Sequence, residues 1–194
     1  MLDNFDVHSS KGSFLIDNSS FSDSAASVGG LAYSFNSHII CTGSTFFVDN
    51  FGSLYAFSCN ITFNGFTKFE NSLETSNNLP FLEEGGAITS ILSSITFAGT
   101  SNLINNQGTY GGAVLAIEST ITVYGYTVIV NNTATADGGG LSLRQSSLET
   151  KGEQLNSYIS HNNAIRGGGI HAIDSTIIIN HPGALHVVSN DAEL

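Results

Sequence analysis

The carboxylates are the first residues to test for chemistry, because a glycoside hydrolase needs two of them facing each other across one groove. The chain has 16 Asp and Glu residues, but no adjacent Asp-Asp pair and no predicted strand with two carboxylates two residues apart. Glu118 and Asp174 share one outward column of the repeat described below, with Gln145 between them, so about 10 Å separates them. Arg166 has no cluster of calcium-binding carboxylates beside it, as lyase chemistry would require. We therefore predict no catalytic residues in this chain.

The histidines are candidate metal ligands. The chain has six of them, at His8, His38, His161, His171, His181 and His186. None has the partner two or four residues away that a zinc site on a strand or helix would show. We predict surface histidines, no metal site and no bound cofactor.

The two cysteines are candidates for a disulfide or for reactive thiols. Cys41 and Cys59 fall in different columns of neighbouring repeats, four residues apart along the strand, which corresponds to on the order of 13 Å. A disulfide needs Cα atoms within about 7 Å. The spacing therefore predicts two buried free thiols.

Three asparagines, Asn18, Asn60 and Asn131, begin N-x-Ser/Thr triplets and are candidate glycosylation sites. In a chain rich in Ser, Thr and Asn such triplets also arise by chance. Asn60 is predicted to face outward, where it could carry a glycan.

The charge balance excludes two classes of partner. The 194 residues carry 16 acidic side chains against five Lys and Arg, for a net charge of −11. Phosphate neutralisation needs a stripe of basic residues, so we predict binding neither to nucleic acid nor to anionic lipid. No run of 18 apolar residues occurs, so this segment is not expected to insert into a membrane. Its first residues lack the basic and apolar regions of a secretory signal.

Internal repeats organise the whole chain. Six gapless segments align, with starts 22 to 34 residues apart, and a period of this size is typical of solenoids. The segments are GGLAYSFNSHIICTG from Gly29, FGSLYAFSCNITFNG from Phe51, GGAITSILSSITFAG from Gly85, GGAVLAIESTITVYG from Gly111, GGGLSLRQSSLETKG from Gly138 and GGGIHAIDSTIIINH from Gly167.

The second half of each segment alternates with period 2, which predicts a strand with one buried face. We expect four columns to point inward. The first is Phe35, Phe57, Ile91, Ile117, Arg144 and Ile173; the second is Ser37, Cys59, Ser93, Ser119, Ser146 and Ser175. The third is Ile39, Ile61, Ile95, Ile121, Leu148 and Ile177; the fourth is Cys41, Phe63, Phe97, Val123, Thr150 and Ile179.

A glycine closes each of these strands, and a second apolar strand follows it. The closing glycines are Gly43, Gly65, Gly99, Gly125, Gly152 and, later in its copy, Gly183. The second strand ends at an Asn or Ser, and its asparagines are predicted to take the left-handed backbone of a corner and to pair their amides between coils. These corner residues are Asn50, Ser72, Asn106, Asn132, Asn162 and Asn190. Glycine pairs then begin the next coil, where the corner needs positive φ or close backbone approach: Gly85, Gly86, Gly111, Gly112, Gly138, Gly139, Gly167 and Gly168.

The pattern predicts an all-β fold, a parallel β-helix of about six to seven coils forming one domain over residues 1–194. Crossover geometry favours the right-handed form. The insertion at residues 72–85 is predicted to be a protruding loop. In the fifth copy Arg144 occupies an apolar column, so a register slip that turns Leu141 and Leu143 inward is expected there. Polar end coils are missing, so we expect a piece of a longer repeat protein, in which Met1 need not be the start.

These motifs resemble the polymorphic outer membrane protein repeats, which are defined by GGA[ILV] and FxxN tetrapeptides. The residues 85–88 and 111–114 match the first tetrapeptide, and 138–141 and 167–170 have Gly in place of Ala. The residues 47–50 match the second, while 21–24 and 69–72 end in Ser. More broadly, the chain is similar to right-handed parallel β-helices of the pectin-lyase-like type, over roughly residues 13–194.

The resemblance implies an extracellular or cell-surface scaffold used in adhesion or surface presentation, with a surface protein or glycan as its partner. Enzymes acting on polysaccharides also have pectin-lyase-like folds. A lyase or glycoside hydrolase is therefore the alternative, and convergent carboxylates in a groove would distinguish it. The sequence supplies no such pair, and we expect a protein that is not an enzyme.

Overall fold

The computed structural model describes residues 8–24, 32–74, 85–151, 156–180 and 184–193, with side chains from residue 11 onward. Within these ranges the chain contains strands and no helix. The strands form four sheets, and every strand pairs in parallel with the strand of the preceding or following turn. The predicted parallel β-helix is therefore confirmed.

Three of the sheets, named A, B and C, have seven strands each, so the helix has seven turns, called rungs below. Sheet A contains β1 (His8–Ser10), β4 (Ala32–Phe35), β7 (Leu54–Phe57), β10 (Ile88–Ile91), β14 (Val114–Ile117), β18 (Leu141–Arg144) and β22 (Ile170–Ile173). Sheet B contains β2 (Ser13–Asp17), β5 (His38–Thr42), β8 (Asn60–Phe63), β11 (Ser94–Phe97), β15 (Thr120–Val123), β19 (Ser147–Thr150) and β23 (Thr176–Ile179).

Sheet C and a shorter sheet D complete the rungs. Sheet C contains β3 (Ser20–Ser22), β6 (Ser44–Val48), β9 (Phe66–Glu70), β12 (Thr100–Ile104), β16 (Thr127–Val130), β20 (Ser157–Ser160) and β24 (Leu185–Val188). Sheet D contains β13 (Gln107–Tyr110), β17 (Thr133–Asp137), β21 (Asn163–Ala164) and β25 (Asp191–Ala192). The chain passes through A, B and C in turn, and in the last four rungs through D.

The core runs along the axis of the helix as stacked columns of apolar side chains. The third and fourth predicted columns point inward on sheet B, where Ile61 and Phe63 are almost fully buried. Inward residues of sheet C meet them, and Phe47 and Phe69 stack with ring centroids 4.5 Å apart. Burial of such side chains is the main stabilising contribution, at roughly 25 cal/mol per Å² of apolar surface.

The first predicted column is wrong, because its residues point outward from sheet A. Phe35 is 37% exposed and Ile173 is 44% exposed. The residue after each of them has positive φ, as at Asn36 (49°) and Asp174 (48°). A left-handed residue turns the chain and interrupts the period-2 alternation between sheets A and B. The inward residues of sheet A are therefore offset by one from the predicted column.

The fifth copy is not out of register, contrary to our prediction. Leu141 pairs with Val114, and Arg144 pairs with Ile117. Leu141 and Leu143 do point inward and are buried. Their partners in the preceding rung, Val114 and Ala116, also point inward. Arg144 belongs to the outward column of sheet A.

The left-handed corner between sheets A and B includes residues poorly suited to positive φ, among them Leu92. The corner is occupied by Lys11, Asn36, Ser58, Leu92, Glu118, Gln145 and Asp174. Leu92 has φ of 51° and is 48% exposed. A left-handed conformation costs an ordinary L residue about 1–2 kcal/mol, whereas Asn tolerates it.

We expect Leu92→Asn to raise the free energy of unfolding by about 1 kcal/mol, because it relieves this backbone cost and removes little packing. Urea unfolding followed by circular dichroism measures the change. Leu15→Asn is the matched control, since Leu15 is 69% exposed but lies within a strand and should gain nothing. Equal effects of the two substitutions would contradict the explanation.

A ladder of asparagine amides stacks along the corner after sheet C, as predicted. Asn106 donates from both its backbone N and its Nδ2 to Oδ1 of Asn132, at 2.8 and 3.0 Å. Asn132 does the same to Asn162, and Asn162 to Asn190. Asn50 also belongs to this ladder, accepting from Ser24 N at 3.1 Å. The ladder satisfies buried polar groups in every described rung that it joins.

Our prediction that the ladder asparagine itself is left-handed is wrong. The residue with positive φ is the one before it in the chain. Asp49, Asn105, Asn131 and His161 have φ between 55° and 56°. The ladder asparagines point inward, with Asn132 fully buried. The corner therefore separates two tasks, with the exposed residue providing the turn and the buried one providing the hydrogen bonds.

Serine hydroxyls form a second ladder, in the second predicted column. Ser93 N donates to Ser119 Oγ at 3.1 Å, and Ser119 N donates to Ser146 Oγ at 3.0 Å. Each hydroxyl also donates to the backbone carbonyl two residues earlier, as Ser119 does to Ile117. Cys59 takes one place in this ladder, where its sulfur accepts from Ser37 N at 3.4 Å.

The glycine pairs lie where the rungs approach most closely. Gly111, Gly138 and Gly167 have φ of 62° to 69°. The second glycine of each pair does not have positive φ, but a Cβ on Gly112 would overlap the carbonyl oxygen of Gly139 in the next rung. Gly139, Gly168 and Gly86 are equally enclosed by backbone atoms, and a Cβ on Gly85 would meet the backbone of residues 88 and 115. Most of the predicted loop at 72–85, together with Gly152 and Gly183, lies outside the described residues.

Candidate functional site

A small cavity lies in the interior of the part of the helix that the structure describes. It lies between the last rungs, where Phe97 in the fourth column is followed by the smaller Val123 and Thr150. Its volume of about 20 Å³ is too small for a sugar or cofactor, and its lining is apolar. Side chains that point outward from sheets A, B and C are therefore the ones to consider for function.

Sheet B presents a strip of hydroxyl and amide side chains. Asn60, Ser94 and Thr120 stand in register on adjacent strands, and so do the parallel residues Thr62, Thr96 and Thr122. Ser147 Oγ extends the strip by a hydrogen bond of 3.2 Å to Thr120 Oγ1. The strip is flat and uncharged until Glu149, which contacts Lys151 at 2.9 Å.

Sheet C presents half-buried apolar and aromatic side chains. Phe46 and Phe66 lie with ring centroids 5.7 Å apart. Tyr158 stacks on His186 at 4.9 Å. An ion pair lies on this face, between Lys68 and Glu70 at 2.6 Å. Such a face suits contact with a protein or with the apolar side of a sugar.

Sheet A carries the most specific group of polar side chains, at its junction with sheet D. Arg166 donates from Nε to Asp137 Oδ1 at 2.6 Å and from Nη2 to Oδ2 at 2.9 Å. His171 Nδ1 lies 3.7 Å from the same Oδ2. Tyr110 is paired in register with Asp137, and the guanidinium carbon of Arg144 lies 4.2 Å over its ring. We call these five residues the sheet A/D cluster.

The burial of the sheet A/D cluster differs strongly between its members. The Asp137 side chain is 3% exposed, whereas that of Arg166 is 57% exposed. A bidentate contact of this kind fixes the plane of the guanidinium, so the outer edge of Arg166 faces solvent in a defined orientation. Ser142, paired in register with His171, is buried, and its Oγ has no hydrogen-bond partner among the described residues. The cluster therefore combines two guanidinium groups, a carboxylate, an imidazole and a phenol, with the buried hydroxyl of Ser142 beside it.

Sequence reasoning missed this cluster, although one signal was available. Tyr110, Asp137 and Arg166 each precede a glycine pair, and equivalent positions of a solenoid stack directly. An Asp and an Arg at such positions predict an ion pair between neighbouring rungs. His171 could not be foreseen, because the offset of sheet A was not recognised.

The cluster does not have the composition of a hydrolytic site. It contains one carboxylate, whose two oxygens are both occupied by Arg166, whereas glycoside hydrolysis needs an acid and a second carboxylate. Glu118 and Asp174, the predicted outward pair, lie at left-handed corner positions of different rungs. No group of three or more His, Cys, Asp or Glu residues suited to a metal ion is found in the part of the chain that the structure describes.

The three candidate glycosylation sites occupy different environments. Asn60 is exposed within strand β8, as expected. Asn18 is exposed, but its Oδ1 accepts from Ser44 N at 3.0 Å. Asn131 is exposed at a left-handed corner. Of these three side chains, that of Asn18 is thus held by a hydrogen bond to the backbone.

Both cysteines are free and buried, as predicted. Burial raises the pKa of the Cys41 thiol from its ordinary value of 9.0 to about 12. A thiol reagent attacks the thiolate, so neither burial nor protonation favours reaction of Cys41 in the folded chain.

We expect the free energy of unfolding to fall as pH rises from about 9 to about 12, because the unfolded Cys41 thiol ionises in this window while the folded one stays protonated. The contribution is present below pH 9 and is lost with a slope of up to about 1.4 kcal/mol per pH unit. Urea unfolding of the parent chain and of Cys41→Val across this range isolates it from other groups. Identical pH profiles for the two proteins would contradict the assignment.

Among the described residues, no helix is long and apolar enough to cross a membrane. Comparison of the chain with protein-family profiles, curated proteins and solved structures finds no match. Its function must therefore be argued from its own surface.

Proposed function

We propose that this chain is a non-catalytic β-helix scaffold of an extracellular or cell-surface protein, similar in kind to the polymorphic outer membrane protein repeats. Its role is adhesion or surface presentation, and its partner is a surface protein or glycan. One observation carries the proposal. The core columns and the two ladders recur from rung to rung, whereas the outward side chains of sheet C and of the sheet A/D junction change from one rung to the next.

Recurring inward residues and changing outward residues suit a rod that presents different side chains to partners on a rigid backbone. Backbone pairing and ladders hold each rung on the next, so an outward residue can change without loss of the fold. The sheet A/D cluster is the most specific of the displayed groups. Its oriented guanidinium and its aromatic ring are the groups that recognise carboxylates and sugar faces.

The test is a binding screen of the 194-residue chain against arrays of glycans and of extracellular protein domains. We expect saturable binding to one class, lost in the double variant Asp137→Asn/Arg166→Gln, which removes both charges together and leaves neither buried alone. Ser147→Ala, on the exposed strip of sheet B, is the matched control and should bind normally. Melting curves of each variant separate loss of binding from loss of fold.

The alternative is a polysaccharide-active enzyme, a lyase or glycoside hydrolase of the pectin-lyase-like class. The observation that favours it is that Arg166 and His171 both lie within 4 Å of Asp137. An imidazole can transfer a proton and a guanidinium can stabilise negative charge in sugar chemistry. Release of reducing or unsaturated ends from acidic polysaccharides by the purified chain, abolished by His171→Gln, would establish this activity. That result would overturn the scaffold proposal.

A further inference from the structure

We propose that two copies of this chain associate side by side through an apolar patch centred on Leu92, with the axes of the two rods antiparallel and a two-fold axis between the two Leu92 side chains. The patch comprises Leu92 and the outward residues of sheet A beside it, which are Phe35, Phe57, Ile91 and Ile117. It lies on the side of the rod, so the contact does not depend on which rungs precede or follow the described ones. The inference goes beyond the proposed function, because the partner is a second copy of the chain.

Leu92 occupies a position whose backbone does not suit it. Its φ is 51°, and it is the one apolar side chain among the described non-glycine residues that have positive φ. Asn36 occupies the same corner two rungs earlier, at lower cost, because Asn tolerates the left-handed conformation. The Leu92 side chain is also 48% exposed, so the core gains little from it. Backbone strain that the fold does not require indicates a role outside the fold.

Apolar side chains continue from Leu92 along the outer face of sheet A. Phe57, Ile91 and Ile117 stand in register on adjacent strands and are half-buried. Phe35 is next in this column and is 37% exposed, and its ring stacks on that of Phe57 at 5.4 Å. Four successive rungs therefore display an apolar side chain at this position, with Leu92 beside the third of them.

The surroundings of the patch carry almost no charge. Residues 54–63, 88–97 and 114–123 form sheets A and B in rungs 3 to 5, and they contain one charged side chain, that of Glu118. The net charge of −11 is therefore carried by other parts of the chain. An apolar centre within an uncharged polar surround is the composition of a protein–protein interface, whose core is depleted of charged residues.

The corner column is complementary to itself under the proposed two-fold axis. In chain order it consists of Lys11, Asn36, Ser58, Leu92, Glu118, Gln145 and Asp174. Reversal of one copy about Leu92 places Lys11 opposite Asp174. It also places Glu118 opposite Ser58, so no two like charges of the column meet. Parallel copies would instead place Glu118 opposite Glu118. Charge therefore selects the antiparallel arrangement.

The size of the patch determines how strong the association can be. The five rungs from Asn36 to Gln145 span about 20 Å, at about 4.8 Å per rung. With the columns on either side, a contact over this length covers on the order of 400 Å² per copy. Interfaces of this size belong to weak and transient complexes. We therefore expect a Kd of about 0.1–1 mM, and no species larger than a dimer, because a two-fold contact is closed.

The experiment is sedimentation equilibrium of the 194-residue chain up to about 1 mM, in about 0.15 M salt, where charges more than about 8 Å apart are screened. We expect a monomer–dimer equilibrium. Leu92→Asn should weaken dimerisation at least about tenfold while it stabilises the fold, so that unfolding cannot explain the loss. Tyr124→Asn is the matched control. Tyr124 is 47% exposed at the corner between sheets B and C, where Asn64 is the equivalent residue two rungs earlier, and its replacement should leave dimerisation unchanged.

A second set of variants tests the antiparallel axis. Ser58→Lys creates two opposite-charge pairs with Glu118 across the contact and should strengthen dimerisation about three- to tenfold. Ser58→Glu places like charges there and should weaken it to a similar extent. Lys11 and Glu118 occupy equivalent corners, so the fold accepts both side chains. Ser160→Lys, on sheet C, changes the net charge as Ser58→Lys does and should have no effect. A chain that is monomeric at every concentration, a series of species larger than a dimer, or a dimer that responds neither to Leu92→Asn nor oppositely to the two Ser58 variants overturns the proposal.

Discussion

Replacement of Asn132 by alanine is expected to lower the free energy of unfolding by about 3–5 kcal/mol. The Asn132 side chain accepts two hydrogen bonds from Asn106 and donates to Asn162 and to the carbonyl of Leu103. Alanine leaves these buried groups without partners, and each costs about 1–3 kcal/mol. Urea unfolding monitored by circular dichroism gives the change directly.

Asn102→Ala is the matched control for this experiment. Asn102 belongs to the preceding rung and points outward from sheet C, so its removal should change the unfolding free energy by less than about 0.5 kcal/mol. A loss at Asn132 no larger than at Asn102 would show that the ladder contributes little. A large loss would identify the amide stack as a principal link between rungs.

Replacement of Phe69 by alanine is expected to destabilise the chain by about 3–5 kcal/mol, because the substitution opens a cavity that neighbouring rungs cannot fill. The Phe69 ring is fully buried. It stacks on Phe47 at 4.5 Å and meets the edge of Phe63 at 5.6 Å. Chemical unfolding of the variant measures the loss.

Phe66→Ala provides the comparison on the same strand. Phe66 lies three residues earlier in β9 and points outward, where it is half-buried beside Phe46. We expect a loss of about 1 kcal/mol there, from partial burial and the aromatic pair. Similar losses at the two positions would mean that the interior of the helix relaxes around the missing ring.

The sequence predicted sheets B and C well, since their strands keep a strict period of two. Ile61 and Phe63 alternate with outward residues and are buried as expected. The prediction of the inward residues of sheet A was wrong, because the left-handed residue between Phe57 and Cys59 reverses the side of the chain that faces the core. Ser58 gives no compositional signal of positive φ, and neither does Leu92. The offset could therefore not be inferred from hydrophobicity alone.

The outer surface was harder to predict than the core, for a related reason. The repeat shows which residues are neighbours in adjacent rungs, as it does for Asp137 and Arg166. It does not show which side chains converge across a corner from two different sheets. His171 approaches Asp137 only because sheet A faces outward at that position and sheet D folds beside it.

The nearest-neighbour arrangement of the rungs also determines how the rod loses structure. Each strand hydrogen-bonds only to the turns before and after it, so opening can begin at a terminal turn and travel inward without disturbing the centre. Amide hydrogen exchange would then be slowest around the middle turns and faster toward both extremities. Protection from exchange would then vary gradually along the rod, instead of reporting one cooperative unfolding of all rungs.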